Sequence, residues 1–144
     1  MSTTVKQLLA AKGHPTIASI KPDATVLDAL RLMAEKNIGA VLVMDGDKLL
    51  GLFSERDYAR HVILEGRTSA GTQIAEIMTS KVLYVGLDSN TDQCMQIMTD
   101  KHIRHLPVLE QDKVLGMVSI GDIVKATLTE QAVTIEQLTR YIHQ

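Results

Sequence analysis

The chain repeats itself, and this constrains its fold more than any other feature. Displaced by 65 positions, residues 20–57 align without gaps on residues 85–122. Eleven pairs are identical: Asp23/Asp88, Met33/Met98, Lys36/Lys101, Ile38/Ile103, Val43/Val108, Asp47/Asp112, Lys48/Lys113, Leu50/Leu115, Gly51/Gly116, Ser54/Ser119 and Asp57/Asp122. Most other pairs exchange one apolar residue for another, which marks a duplicated structural unit rather than shared composition. One copy is too small for a robust core, so the two are expected to pack together as one α/β (α+β) unit.

Each copy reads as βαββα. A short strand opens it, over residues 17–20 and 82–85. A helix follows. In the first copy Thr25 is a good N-cap with Asp28 at N3, and Val26, Ala29, Leu30 and Met33 keep the i, i+3, i+4, i+7 spacing of a buried face. In the second copy Asn90 and Gln93 take the cap positions, and Thr91, Cys94, Met95 and Met98 take the face. Residues 40–44 and 106–109 are continuously apolar, as expected of strands covered on both sides. Asp45-Gly46-Asp47 and Glu110-Gln111-Asp112 mark tight turns, the hairpins return through residues 48–53 and 113–118, and closing helices start at Ser54 and Ser119. The expected segments are an N-terminal helix and arm (1–15), a first motif (16–65), a linker with a short helix (66–78), a second motif (79–128) and a C-terminal amphipathic helix (129–144).

Composition narrows the function. Net charge is -2 with no block of like charges, and aromatic residues make up 3%. A basic face for phosphate backbones and a stacking platform for bases are both missing, so nucleic acid is not an expected partner. Apolar residues make up 45%, but the longest aliphatic run, residues 40–44, is far too short to span a bilayer. The N-terminus does not read as a signal peptide. The single cysteine, Cys94, rules out an internal disulfide and suits a reducing cytoplasm; its place on an apolar stripe suggests a small buried hydrophobe. The seven methionines fall mostly at core positions.

The end of each copy carries the most specific pattern: Gly51-Leu52-Phe53-Ser54-Glu55-Arg56-Asp57, and again Gly116-Met117-Val118-Ser119-Ile120-Gly121-Asp122. With Ile103-Arg104-His105-Leu106-Pro107-Val108 ahead of the second hairpin, these stretches resemble the CBS domain family (cystathionine-β-synthase-type domains, paired as a Bateman module). The resemblance spans residues 16–127. It implies two motifs joined through their sheets with pseudo-two-fold symmetry, and two clefts between them. It further implies a non-enzymatic, stand-alone regulatory module of bacterial type that forms a homodimer in the cytoplasm. Such a module binds AMP, ADP, ATP, NAD(H) or S-adenosylmethionine and passes occupancy to a regulated protein by conformational change. No catalytic cofactor is expected.

The residue types suit that chemistry. A ribose offers two adjacent hydroxyls that a carboxylate can accept, which singles out Asp57 and Asp122, with Ser54 and Ser119 adding hydroxyls nearby. Phosphates favour helix N-termini, and both Ser-x-x-Asp segments open helices. By resemblance, the adenine walls are Ile17, Ile38, Gly39 and Ala40 in the first copy and Val82, Ile103 and Pro107 in the second. Arg56, Arg104 and His105 are the expected phosphate contacts. Arg104 and His105 correspond to Gly39 and Ala40, and Arg56 to Gly121, so each copy has a basic group where the other lacks one. A plainer reading stands beside this one. Ser-x-x-Asp is also a capping box, the aliphatic residues also suit a core, and surface arginines are commonly just solvated; the two roles can coexist. His102 and His105 share a spacing that metal sites use on helices, but no third ligand is evident, and no metal is expected. Ser54 and Ser119 have no adjacent histidine base, so catalysis is the least favoured alternative, behind a module that self-associates without ligand.

Overall fold

A computed structural model describes residues 3–13 and 17–143. Met1, Ser2, His14, Pro15, Thr16 and Gln144, and with them the expected boundary at 15/16, lie outside the described residues. The elements in order are α1 (Val5–Ala11), β1 (Ser19–Ile20), α2 (Val26–Lys36), β2 (Ala40–Asp45), β3 (Lys48–Ser54), α3 (Glu55–Tyr58) running into a π-helical turn (Ala59–Ile63), α4 (Ile74–Ile77), α5 (Thr91–Lys101), β4 (His105–Glu110), β5 (Lys113–Ser119) and α6 (Ile120–Ile142).

Local chemistry sets these limits. Thr25 and Asn90 cap α2 and α5 through the hydrogen bonds their sequences suggest, Asp28 N–H to Thr25 Oγ1 at 3.1 Å and Gln93 N–H to Asn90 Oδ1 at 2.9 Å. Both helices end on a left-handed residue, Asn37 (φ 52°) and His102 (φ 55°), a common way to stop a helix. His102 is thus a helix terminator, and among the described residues no group of three metal-ligating side chains forms. The first hairpin turns at Gly46 (φ 58°), the second at Gln111 and Asp112 (φ 50° and 65°).

The described chain divides into two compact units. One holds residues 17–83. Its sheet has the order β1-β2-β3, with β1 parallel to β2 (Ser19 opposite Leu42) and β2 antiparallel to β3 (Ala40 opposite Ser54). Its core gathers Val26, Ala29 and Met33 of α2 with Val41, Val43, Phe53, Val62, Ile74 and Ile77. The other unit holds most of residues 84–143 and builds its core from Val85, Cys94, Met98, Leu106, Val108, Val118 and Ile123. Burial pushes the Cys94 thiol up, consistent with a packing role. The expected strand over 82–85 is reduced to one parallel bridge, Val85 to Val108, with Val85 N–H bonded to Pro107 O and Leu109 N–H to Val85 O.

Two expectations change. The helix of residues 5–11, expected to precede the first motif, instead completes the core of the second: Val5, Leu8 and Leu9 are buried against Cys94, Met98 and Leu106. Correspondingly, α4 from the linker completes the first motif through Ile74 and Ile77. The docking is the same in both. Val5 N–H bonds Ser89 O and Lys6 N–H bonds Leu87 O; Ile74 N–H bonds Ala24 O and Ala75 N–H bonds Pro22 O. Ser89 and Ala24, and Leu87 and Pro22, are equivalent positions of the repeat. Each motif is thus closed by the helix that precedes the other in sequence. Second, no break separates the closing helix of the second motif from a C-terminal helix. α6 runs unbroken for 23 residues, because no Gly or Pro interrupts it after Gly121. The Glu130 carboxylate ties its middle to Thr3 N–H (2.6 Å) and to the hydroxyl of Thr91 (3.2 Å), and the bonds from Thr3 lower its pKa.

The exchange predicts a non-local effect. Leu8→Ala should destabilise the second motif by about 2–4 kcal/mol, the usual cost of truncating a buried leucine. Hydrogen exchange should show the loss of protection at Leu106 and Val108 and not at Val41 and Val43. Ile77→Ala should do the converse.

Candidate functional site

Each motif ends in the same turn, built by its Ser-x-x-Asp segment. In the first, the Asp57 N–H donates to Ser54 Oγ (3.3 Å), while Asp57 Oδ2 accepts from the Ser54 N–H (2.9 Å) and the Ser54 hydroxyl (3.1 Å). In the second, Asp122 N–H donates to Ser119 Oγ (3.2 Å), and Asp122 Oδ2 accepts from Ser119 N–H (2.8 Å). Both are reciprocal capping boxes, so the plainer reading of the motif holds in full. The carboxylates remain half-buried at the mouth of the turn.

The turn is also bonded to the helix-to-strand segment. Glu55 N–H bonds Gly39 O (3.1 Å), and Ile120 N–H bonds Arg104 O (2.8 Å), again at equivalent positions. Hence Ile38, Gly39 and Ala40 lie beside Ser54 and Asp57, and Ile103, Arg104 and His105 lie beside Ser119 and Asp122. Ala40 and Pro107 are buried, Ile38, Gly39, Val82, Ile103, Arg56 and His105 half-buried, and Ile17 and Arg104 exposed. Ile17 directly precedes Ala18, whose carbonyl accepts from Leu42 N–H, so it joins the first cluster. Ile38 and Gly39 also line a surface depression of about 300 Å³ with Leu30, Met33, Ala34, Asn37 and Glu55. Gly51 explains the glycine at the head of the motif: a Cβ there would stand 2.7 Å from both Met78 Sδ and Thr79 O. Without side-chain bulk at Gly51, Thr79 pairs with Leu52 through two backbone hydrogen bonds of 2.9 Å.

Two residues at the carboxylates escaped the sequence reading. The Thr79 hydroxyl donates to Asp57 Oδ1 at 3.2 Å. Lys12 donates its ammonium to Asp122 Oδ2 at 2.8 Å and to the carbonyl of Met117 at 3.0 Å. They follow the exchanged helices, Thr79 after α4 and Lys12 after α1. The common pattern of Thr4-x-x-Gln7 and Gln73-x-x-Glu76 ahead of those helices was the available signal, masked by a different loop length. Burial pushes the Asp122 carboxyl up. Hydrogen bonds from Lys12 and Ser119 and the Lys12 charge outweigh it, and hold the group below the ordinary carboxylate value.

Comparison with known proteins follows this architecture closely. The family model for the CBS domain matches residues 5–64 and 74–129, starting each time at the first residue of an exchanged helix. The chain belongs to the CBS domain family. It carries a pair of CBS domains. Over 149 residues it is 38% identical to the mitochondrial CBS domain-containing protein CBSX3 of Arabidopsis thaliana, covering 98% of this chain and 72% of the relative. A solved protein with CBS domains from Burkholderia ambifaria is 50% identical with a TM-score of 0.86, covering 90% of this chain and 96% of its own. The CBS domain pair of protein MJ0100, solved with 5′-methylthioadenosine and S-adenosyl-L-methionine, shares the fold at 24% identity, with a TM-score of 0.77 and coverage of 90% and 99%. No described helix is long and apolar enough to cross a membrane.

The lowered Asp122 pKa fixes the sign of a pH effect. A carboxylate with a depressed folded value adds stability above the ordinary carboxylate range, and loses it as pH falls through the folded value. Asp122→Asn should therefore be less stable than wild type at neutral pH, with the gap narrowing below about pH 4. Urea unfolding across that range measures this; a constant gap contradicts the assignment.

Proposed function

We propose that the chain is a non-catalytic regulatory module that binds an adenosine-containing ligand, of the class AMP, ADP, ATP, NAD(H) or S-adenosylmethionine. Asp57 and Asp122 accept the ribose hydroxyls, and the helix-to-strand segments hold the base. The observation that carries this reading is the backbone bond from each Ser-x-x-Asp turn to its helix-to-strand segment. It sets a half-buried carboxylate beside a strip of small and aliphatic residues, which suits a ribose joined to a flat, mostly apolar base. A carboxylate has four lone-pair directions, more than Ser54 and Thr79 together use at Asp57. The complex of the MJ0100 pair with two adenosine compounds supports the ligand class. Ser54 and Ser119 serve as caps, which favours binding over nucleophilic chemistry. Regulation further requires the ligand to prefer one of two conformations.

Melting temperature measured against AMP, ADP, ATP, NAD, NADH and S-adenosylmethionine tests the reading. A ligand at 100 times its Kd should add about 2.7 kcal/mol, and Asp57→Ala combined with Asp122→Ala should abolish the gain. No shift with any of the six rejects ligand binding and leaves an interaction module.

We also propose a homodimer. From Gln131 to His143, α6 is exposed on every side. A helical stretch of that length is marginal in water without packing. Val124, Leu128, Gln131, Ile135, Leu138 and Ile142 follow one another at steps of 4, 3, 4, 3 and 4 residues, the spacing of a seam that wraps a second helix. The apolar members are 45–76% exposed. Residues flanking the seam (Lys125, Thr127, Ala132, Thr134, Thr139, Tyr141) include one charge, so two identical seams meet with little repulsion. Light scattering should find a dimer, and Ile135→Glu with Leu138→Glu should give a folded monomer; an unchanged mass sinks this surface.

A further inference from the structure

With the two carboxylates taken as ribose acceptors, as proposed above, their surroundings are unequal. Asp57 meets a neutral hydroxyl, from Thr79. Asp122 meets an ammonium, from Lys12, whose side chain is 36% exposed against 23% for the aspartate. The same place in the two motifs thus holds a group that a ribose hydroxyl can work beside, and one it must displace. A hydrogen bond between two charged groups is roughly twice as strong as a neutral one. A ribose hydroxyl, itself neutral, cannot replace the ammonium at Asp122. Were the ammonium displaced, it would keep the Met117 carbonyl and lose its anion.

A ligand with its own anion changes the balance, since its phosphate can take over the Lys12 ammonium and release Asp122 for the ribose. Other cations near this site fit such a ligand. Arg104 and His105 adjoin the second turn, where the first motif has Gly39 and Ala40. We propose that Lys12 is a specificity-determining residue: it closes the second motif to uncharged nucleosides and admits nucleotides, while the first motif takes both. The two CBS motifs of one chain then read different chemical classes, nucleoside and nucleoside phosphate.

Titration calorimetry with adenosine and AMP tests this on the full chain. Wild type should bind one adenosine but two AMP per chain, and Asp57→Ala should remove the adenosine site. Lys12→Met should admit a second adenosine and reduce the preference for AMP over adenosine at the second motif by about tenfold, the worth of one charged hydrogen bond. Lys12→Arg should keep the wild-type pattern. The Asp122 carboxyl, followed by NMR, should titrate higher in Lys12→Met, a readout that needs no ligand; an unmoved titration overturns the ion pair. Adenosine filling two sites in wild type, adenosine failing to bind where AMP binds, or Lys12→Met retaining a single adenosine site overturns the role of Lys12 alone. Absence of binding by both compounds overturns the ribose reading and this one with it.

Discussion

Everything else in this fold depends on the burial of two short helices, each by the motif it does not precede. Three apolar side chains of α1 and two of α4 fill the remaining side of each core. Neither helix could persist alone; α1 has seven residues and α4 four, far below the length at which a helix is stable in water. Their docking uses backbone N–H groups at the first turn, which an isolated helix leaves unpaired and which here find carbonyls ahead of α5 and α2. One contact therefore closes the core, satisfies the helix end and positions the residues that follow.

Those following residues are Lys12 and Thr79, and both arrive at the aspartate of a Ser-x-x-Asp turn. The path from core to site is short. Burial of Leu8 and Leu9 places the end of α1, the end of α1 places Lys12, and Lys12 sets the charge around Asp122. In the first motif Gly51 allows Thr79 to lie against Leu52, and the Thr79 hydroxyl then reaches Asp57. The serine and aspartate hold the start of a helix while presenting a carboxylate, so structural and binding roles coincide in one pair of residues. Substitutions at these positions act on both, and stability must be followed alongside binding.

Duplication makes the two motifs alike in backbone and leaves them free to differ in charge. Caps, left-handed helix ends and the bond from turn to helix-to-strand segment recur at equivalent positions. The charges do not recur, because a charged side chain at a half-exposed rim changes little in the packing beneath it. Lys12, Arg104 and His105 cluster by the second turn, and Arg56 lies in the first. A protein built this way can vary what each motif recognises without repacking either core.

Much of this was legible in the chain itself. The offset of 65 residues, the apolar strands 40–44 and 106–109, the helix caps and the Ser-x-x-Asp turns follow from periodicity and local hydrogen bonding, which neighbouring residues determine. The two halves of α6 were read as separate helices because its amphipathic pattern shifts once the core contacts of Ile123 end. The owner of α1 and α4, and with it the neighbours of Asp57 and Asp122, could not be read that way. An amphipathic helix states that it has a face to bury; its sequence does not state where, since burial of apolar area is non-directional and any matching core would serve. Only the tertiary structure, in which each core has room for one particular helix, decided that Lys12 would stand beside an aspartate 110 residues away.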